Sequence, residues 1–129
     1  MISSFSFKKH FTPLIKNAIP KSICQHRLSN SDCLLLTFDD GPHTEHTPKV
    51  LDLLDEHSAK ALFFIASERI KDSQDLLKDI VDRGHSLQNH SANHLPCSEL
   101  SFAQIKQEIN NCHQRIFDLT GQKTKYFRP

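Results

Sequence analysis

Apolar residues in this chain follow two rhythms. From residue 33 onward, short unbroken apolar runs alternate with stretches where apolar side chains recur every three or four positions. An unbroken run suits a strand buried on both faces, and the longer spacing suits a helix with one face against a sheet. Cys33-Leu-Leu-Leu-Thr-Phe38 is the first such run, stopped by the turn signal Asp39-Asp40-Gly41-Pro42. Thr47 and Pro48 read as an N-cap and a first-position proline, and Val50, Leu51, Leu53 and Leu54 form one apolar face behind them. Ala61-Leu-Phe-Phe-Ile65 predicts a second buried strand. Leu76, Leu77, Ile80 and Val81 predict a second helix closed by Gly84, and His85 to Asn89 a third strand, placed mainly by its position between helices.

The third helix is marked at both ends. Ser101 with Gln104 makes a capping box, Phe102, Ile105, Ile109, Cys112, Ile116 and Leu119 recur on one face, and Gly121 ends it. Lys125-Tyr126-Phe127 then begins a fourth strand. The order β-α-β-α-β-α-β predicts an α/β fold of parallel strands joined by right-handed crossovers. Polar residues gather just after strands one, three and four, at the carboxyl edge where such folds place their chemistry.

Composition narrows the classes. A chain of 129 residues allows one domain, and a formal net charge of +1 excludes a dedicated nucleic-acid binder. No apolar run reaches the length of a membrane span. Residues 1–31 hold Lys8, Lys9, Lys16, Lys21 and Arg27 and no acid, so they read as a basic N-terminal lead-in to a domain over residues 32–129. A basic, acid-free leader also fits a transit peptide, whereas Pro13, Lys16 and Asn17 interrupt the apolar character a secretion signal needs. Cys24, Cys33, Cys97 and Cys112 lack C-x-x-C spacing; Cys33 and Cys112 read as small buried hydrophobes, and the pattern favours a reducing, cytoplasmic setting.

Three clusters could carry chemistry. Asp39-Asp40 is an ordinary turn former, or a pair of carboxylates of which one holds a metal and the other accepts a proton. His90-Ser-Ala-Asn-His94 spaces two histidines four apart, as metal-dependent hydrolases do, although solvated histidines are common in a chain with nine. His43, His46 and His85 lie near this candidate site without an assigned role. Together, Asp40, His90 and His94 make a three-ligand set with an open position for water, and Asp39 becomes the neighbouring base. Cys97 is a conceivable fourth ligand, which would close the site into a structural one. Arg128 is either a solvated strand tip or the partner that holds a nearby carboxylate ionised and oriented.

Thr37-Phe-Asp-Asp-Gly-Pro42, His90-Ser-Ala-Asn-His94 and Phe127-Arg-Pro129 resemble the first three motifs of the polysaccharide deacetylases, the NodB homology domain of carbohydrate esterase family four. Thr47 to Leu54, Ala61 to Phe64, Gly84 to His90 and Leu119 to Gly121 fall in the same register, so the resemblance covers about residues 33–129. It implies a metal-dependent hydrolase on a distorted (β/α) barrel that removes N-acetyl groups from a glycan. Residue by residue, it implies Asp39 as catalytic base, Asp40, His90 and His94 as ligands of one divalent metal, Zn2+ by default with Co2+ an alternative, Ser91 as support of the histidine loop, and Arg128 as orienter of the base. Leu62 stands where the family has threonine, and Gln88 where it has glycine.

The family's fourth and fifth motifs have no counterpart here, so the expectation is the N-terminal half of a barrel. Such a half would be weak or inactive alone and would take the missing C-terminal half as a partner. A non-catalytic glycan-binding or partner-docking remnant is the rival reading. A magnesium phosphohydrolase built on Asp39-Asp40 is disfavoured, because two histidines are poor ligands for an oxygen-loving ion.

Overall fold

The computed structural model describes residues 25–27, 34–71 and 73–129. One four-stranded sheet runs in sequence order: β1 (Gln25–Arg27), β2 (Leu34–Gly41), β3 (Ala61–Ile65) and β4 (Ser86–Asn89). β2, β3 and β4 are parallel, as expected for crossover connections, and the crossovers carry α1 (His46–Glu56) and α2 (Gln74–Asp82). A long α3 (Phe102–Thr120) follows β4. Short 3-10 turns lie at Ser67–Ile70 and Cys97–Glu99.

The core follows from the apolar runs. Leu36, Phe63, Ile65 and Leu87 from the strands are buried against Leu51 and Leu54 of α1, Leu77 and Ile80 of α2, and Cys112 and Ile116 of α3. Phe38 stacks on Phe63 with ring centroids 5.0 Å apart. Cys112 lies among these residues as a small hydrophobe; its thiol donates to the Ile65 carbonyl at 3.2 Å, and burial pushes its pKa up to about 11. Cys24 and Cys33 lie outside the described residues.

Helix ends follow local chemistry. At the end of α2, Gly84 takes a φ of 80°, its N–H bonds the Val81 carbonyl, and the His85 N–H reaches back to Ile80. These are the two bonds of a Schellman closure, which favours glycine at that position. α3 starts with the expected capping box between Ser101 and Gln104.

Several expectations need correction. Thr47 is not the N-cap of α1: its N–H already bonds the His43 carbonyl, so the helix starts earlier. The N–H groups of Glu45 and His46 instead donate to His43 Nδ1, at 3.2 and 3.3 Å, and the Thr47 hydroxyl accepts from the His43 N–H. Leu53 and Phe102 leave the apolar faces assigned to them and are exposed, Phe102 at 84%. β1 arises within the basic lead-in and adds antiparallel to β2; Gln25-His-Arg27 carries no apolar signal to reveal it. β2 runs on through Asp39, Asp40 and Gly41, which were expected to form a turn.

The fourth strand is reduced to one bridge, Asn89 with Phe127. Side chains take the place of its ladder. The Gln88 amide oxygen accepts the N–H groups of Lys125 and Tyr126, both at 2.9 Å, and Gln122 accepts from the Leu87 N–H. Only the Tyr126 carbonyl and the Arg128 N–H bond the Asn89 backbone.

Candidate active site

The carboxyl ends of β2 and β4 and the segment ending in Arg128 meet at one place. Side chains on a regular strand alternate between faces, so neighbouring aspartates would point apart. The β2–β3 register shifts between Phe38 and Gly41, and Asp40 takes a φ of 64°, in the left-handed region that costs a non-glycine residue energy. That irregularity lets the two carboxylates serve one cluster. Asp40 Oδ1 lies 2.9 Å from His94 Nε2 and 3.4 Å from His90 Nε2, and the two Nε2 atoms are 3.2 Å apart.

Asp39 faces Arg128. The guanidinium donates to Asp39 Oδ1 at 2.5 Å and to the Thr37 hydroxyl at 3.2 Å, and it lies 4.1 Å over the Phe64 ring. The Arg128 backbone serves the other half of the cluster: its carbonyl is 2.8 Å from His90 Nδ1. A carbonyl can only accept, so Nδ1 is the donor there, which leaves Nε2 as the ring atom able to offer a lone pair to a metal. Carboxylate–histidine and carbonyl–histidine contacts of this kind orient ligands in metal sites.

His90 to His94 is not a helical turn. It is an irregular loop with Ser91 at φ 72° and His94 at φ 51°. The Ser91 hydroxyl accepts the His94 N–H at 3.0 Å, and Asn89 Oδ1 accepts the Ser91 N–H at 2.9 Å. The Asn89 amide also donates to the Ile109 carbonyl at 2.8 Å, tying the loop to α3. The Ser91 and Ala92 carbonyls accept from the N–H groups of Ser67 and Glu68, which docks the loop on the turn after β3.

Chemically, Asp40, His90 and His94 direct three electron-pair donors at one point. An ionised carboxylate only accepts, and one proton on His94 satisfies only one of the three contacts. With metal–ligand bonds of about 2.0–2.2 Å, tetrahedral donor atoms lie about 3.3–3.6 Å apart. The observed 2.9–3.4 Å separations fit a single divalent cation with little movement. Cys97 does not belong to this cluster.

Two residues near the site went unrecognised in the sequence. Gln88 stands in the sequence only as a departure from glycine, yet it holds the segment that carries Arg128. Glu108 was not singled out, although it falls four positions before Cys112 on the buried stripe of α3, where an acid is out of place. His43 and His46 stack on each other at the start of α1, outside the cluster. His85, expected near the site, lies at the opposite end of β4 and is buried.

A family model described as polysaccharide deacetylase matches residues 27–129, and the chain belongs to that family. Among curated relatives, the peptidoglycan-N-acetylmuramic acid deacetylase PdaA of Bacillus subtilis is 36% identical over 97 residues, which cover 74% of this chain and 37% of that protein. A family 4 carbohydrate esterase from Bacillus anthracis superposes with a TM-score of 0.68 at 36% identity, covering 74% of this chain and 46% of that one. A family 4 acetyl xylan esterase from Clostridium thermocellum, solved with a cobalt ion, gives a TM-score of 0.69 at 36% identity, with the same two coverages. The chain spans less than half the length of each. Among the described residues, no helix is long and apolar enough to cross a membrane.

Proposed function

We propose that this chain carries the metal-binding and base-supplying part of a glycan deacetylase, one that hydrolyses the acetamide of an N-acetylated sugar to acetate and a free amine. The observation that carries the reading is the convergence of Asp40 Oδ1, His90 Nε2 and His94 Nε2, with a second carboxylate, Asp39, held beside them by Arg128. Those three residues would hold a divalent cation, Zn2+ or Co2+, which when bound supplies Lewis acidity toward water and the amide carbonyl.

The chain's own groups do the rest. Asp39 accepts a proton from the attacking water as its oxygen bonds to the carbonyl carbon. The C–N bond then breaks, acetate keeps the new oxygen, and the amine leaves with a proton that Asp39 can return. Arg128 fixes the direction in which Asp39 presents its free oxygen. The name of PdaA, a peptidoglycan-N-acetylmuramic acid deacetylase, supports the substrate class.

The test is acetate release from N-acetylglucosamine oligomers and from peptidoglycan, measured with and without a chelator. From a chain that spans less than half of these relatives, weak release is expected, which the chelator abolishes and added Zn2+ restores. Asp39→Asn should lower the rate about 10²–10⁴-fold while leaving metal affinity within a few-fold. Release that survives chelation, or an unaffected Asp39→Asn variant, contradicts it.

A further inference from the structure

Every backbone N–H from Ser91 to His94 donates to a side-chain oxygen. Ser91 and His94 use the local acceptors Asn89 and Ser91. The two between them use Glu108, which reaches in from α3: the Ala92 and Asn93 N–H groups donate to Oε2 at 3.0 and 2.7 Å, and the Asn93 side-chain amide donates to Oε1 at 2.6 Å. Glu108 is 9% exposed, and no ion pair to it is found among the described residues. A carboxylate taken out of water without a cation partner is costly unless its lone pairs are filled, and here three N–H donors fill them.

Those donors belong to the residues midway between His90 and His94, and the backbone there is strained at Ser91 and His94. Strained backbone persists only where its surroundings over-determine it. α3 is a rigid platform for that task, anchored in the core by Cys112 and Ile116 on the same face as Glu108. We infer that Glu108 is the positioning residue of the histidine loop: its carboxylate clamps Ala92 and Asn93 so that the two Nε2 atoms stay at metal-binding separation. The inference rests on the metal-site reading above for its consequence, though the clamp itself does not.

Substitutions separate geometry from charge. Glu108→Gln keeps the reach of the side chain, its carbonyl oxygen can accept both backbone N–H groups, and a rotated Asn93 amide can meet its NH2. Glu108→Asp keeps the charge but is one methylene short. Zn2+ affinity, measured calorimetrically on the 129-residue chain, should fall about 10–100-fold in Glu108→Asp and Glu108→Ala and stay within about five-fold of wild type in Glu108→Gln. Amide hydrogen exchange in the metal-free chain should show Ala92 and Asn93 protected in wild type and Glu108→Gln, and released in Glu108→Asp. The reverse order, with Asp near wild type and Gln weak, would assign the effect to charge and overturn the positioning role, as would unchanged protection in the Asp variant. A wild-type chain that binds no Zn2+ would defeat the metal reading alone, because the exchange of the two amides still decides whether Glu108 holds the loop.

Discussion

One strand separates two buried histidines with opposite circumstances. His85 precedes β4 and His90 follows it, at 4% and 6% exposure. His90 has every polar atom engaged: Nδ1 meets the Arg128 carbonyl, and Nε2 faces Asp40 and His94. His85 packs against Phe63, and neither ring nitrogen has a hydrogen-bond partner among the described residues. Its pKa is pushed below the ordinary histidine value, chiefly by burial and then by the charge of Lys60. Burial alone therefore does not mark a functional histidine. Convergence does: Asp40 from β2, His90 and His94 from the loop after β4, and the Arg128 segment meet at one place at the carboxyl edge. At the amino edge the charged groups are diverted to the surface, where Arg83 bridges Asp52, Asp55 and Asp79.

The contrast breaks first at Arg128, whose side chain and backbone serve different partners. Arg128→Met keeps bulk over Phe64 and the carbonyl on His90 but frees Asp39. Acetate release should fall about 10–100-fold, the loss of one strong charge-assisted bond, while Zn2+ affinity stays within about two-fold. Equal losses in both would merge the two roles.

A smaller effect sharpens the other side of the comparison. His85→Leu replaces an unpartnered polar ring with an apolar side chain and should raise stability by about 1 kcal/mol in urea unfolding at neutral pH. The pH dependence has a definite sign. The unfolded chain protonates His85 near about pH 6.5 and the folded chain only at lower pH, so the unfolded state binds more protons in between. Stability is full above that value and is lost as pH falls toward the depressed folded value. In His85→Leu this part of the acid slope should disappear; an unchanged slope would mean that His85 is protonated in the native state.

The sequence revealed the parts of this structure governed by local rules. The apolar run at Ala61–Ile65 is β3 without change, and the caps at Ser101 and Gly84 act through bonds within a few residues of themselves. Asp39, Asp40, His90, His94 and Arg128 were all visible, because spacing and residue type carry chemical meaning before folding. What stayed hidden depends on contacts between distant segments. The clamp of Glu108 on Asn93 spans fifteen residues and the link from Gln88 to Tyr126 thirty-eight. The short β1 exists through pairing with β2, and side-chain amides substitute for a fourth strand where local propensity predicted a ladder.

The central claim is that Asp40, His90 and His94 grip one divalent ion. Calorimetric titration of the metal-free chain with Zn2+, beside His90→Ala and Asp40→Ala, measures it directly. The account predicts one ion per chain for wild type and loss of that binding in both variants, with helical content unchanged by circular dichroism. Absence of binding in wild type, or equal affinity in all three proteins, would contradict it.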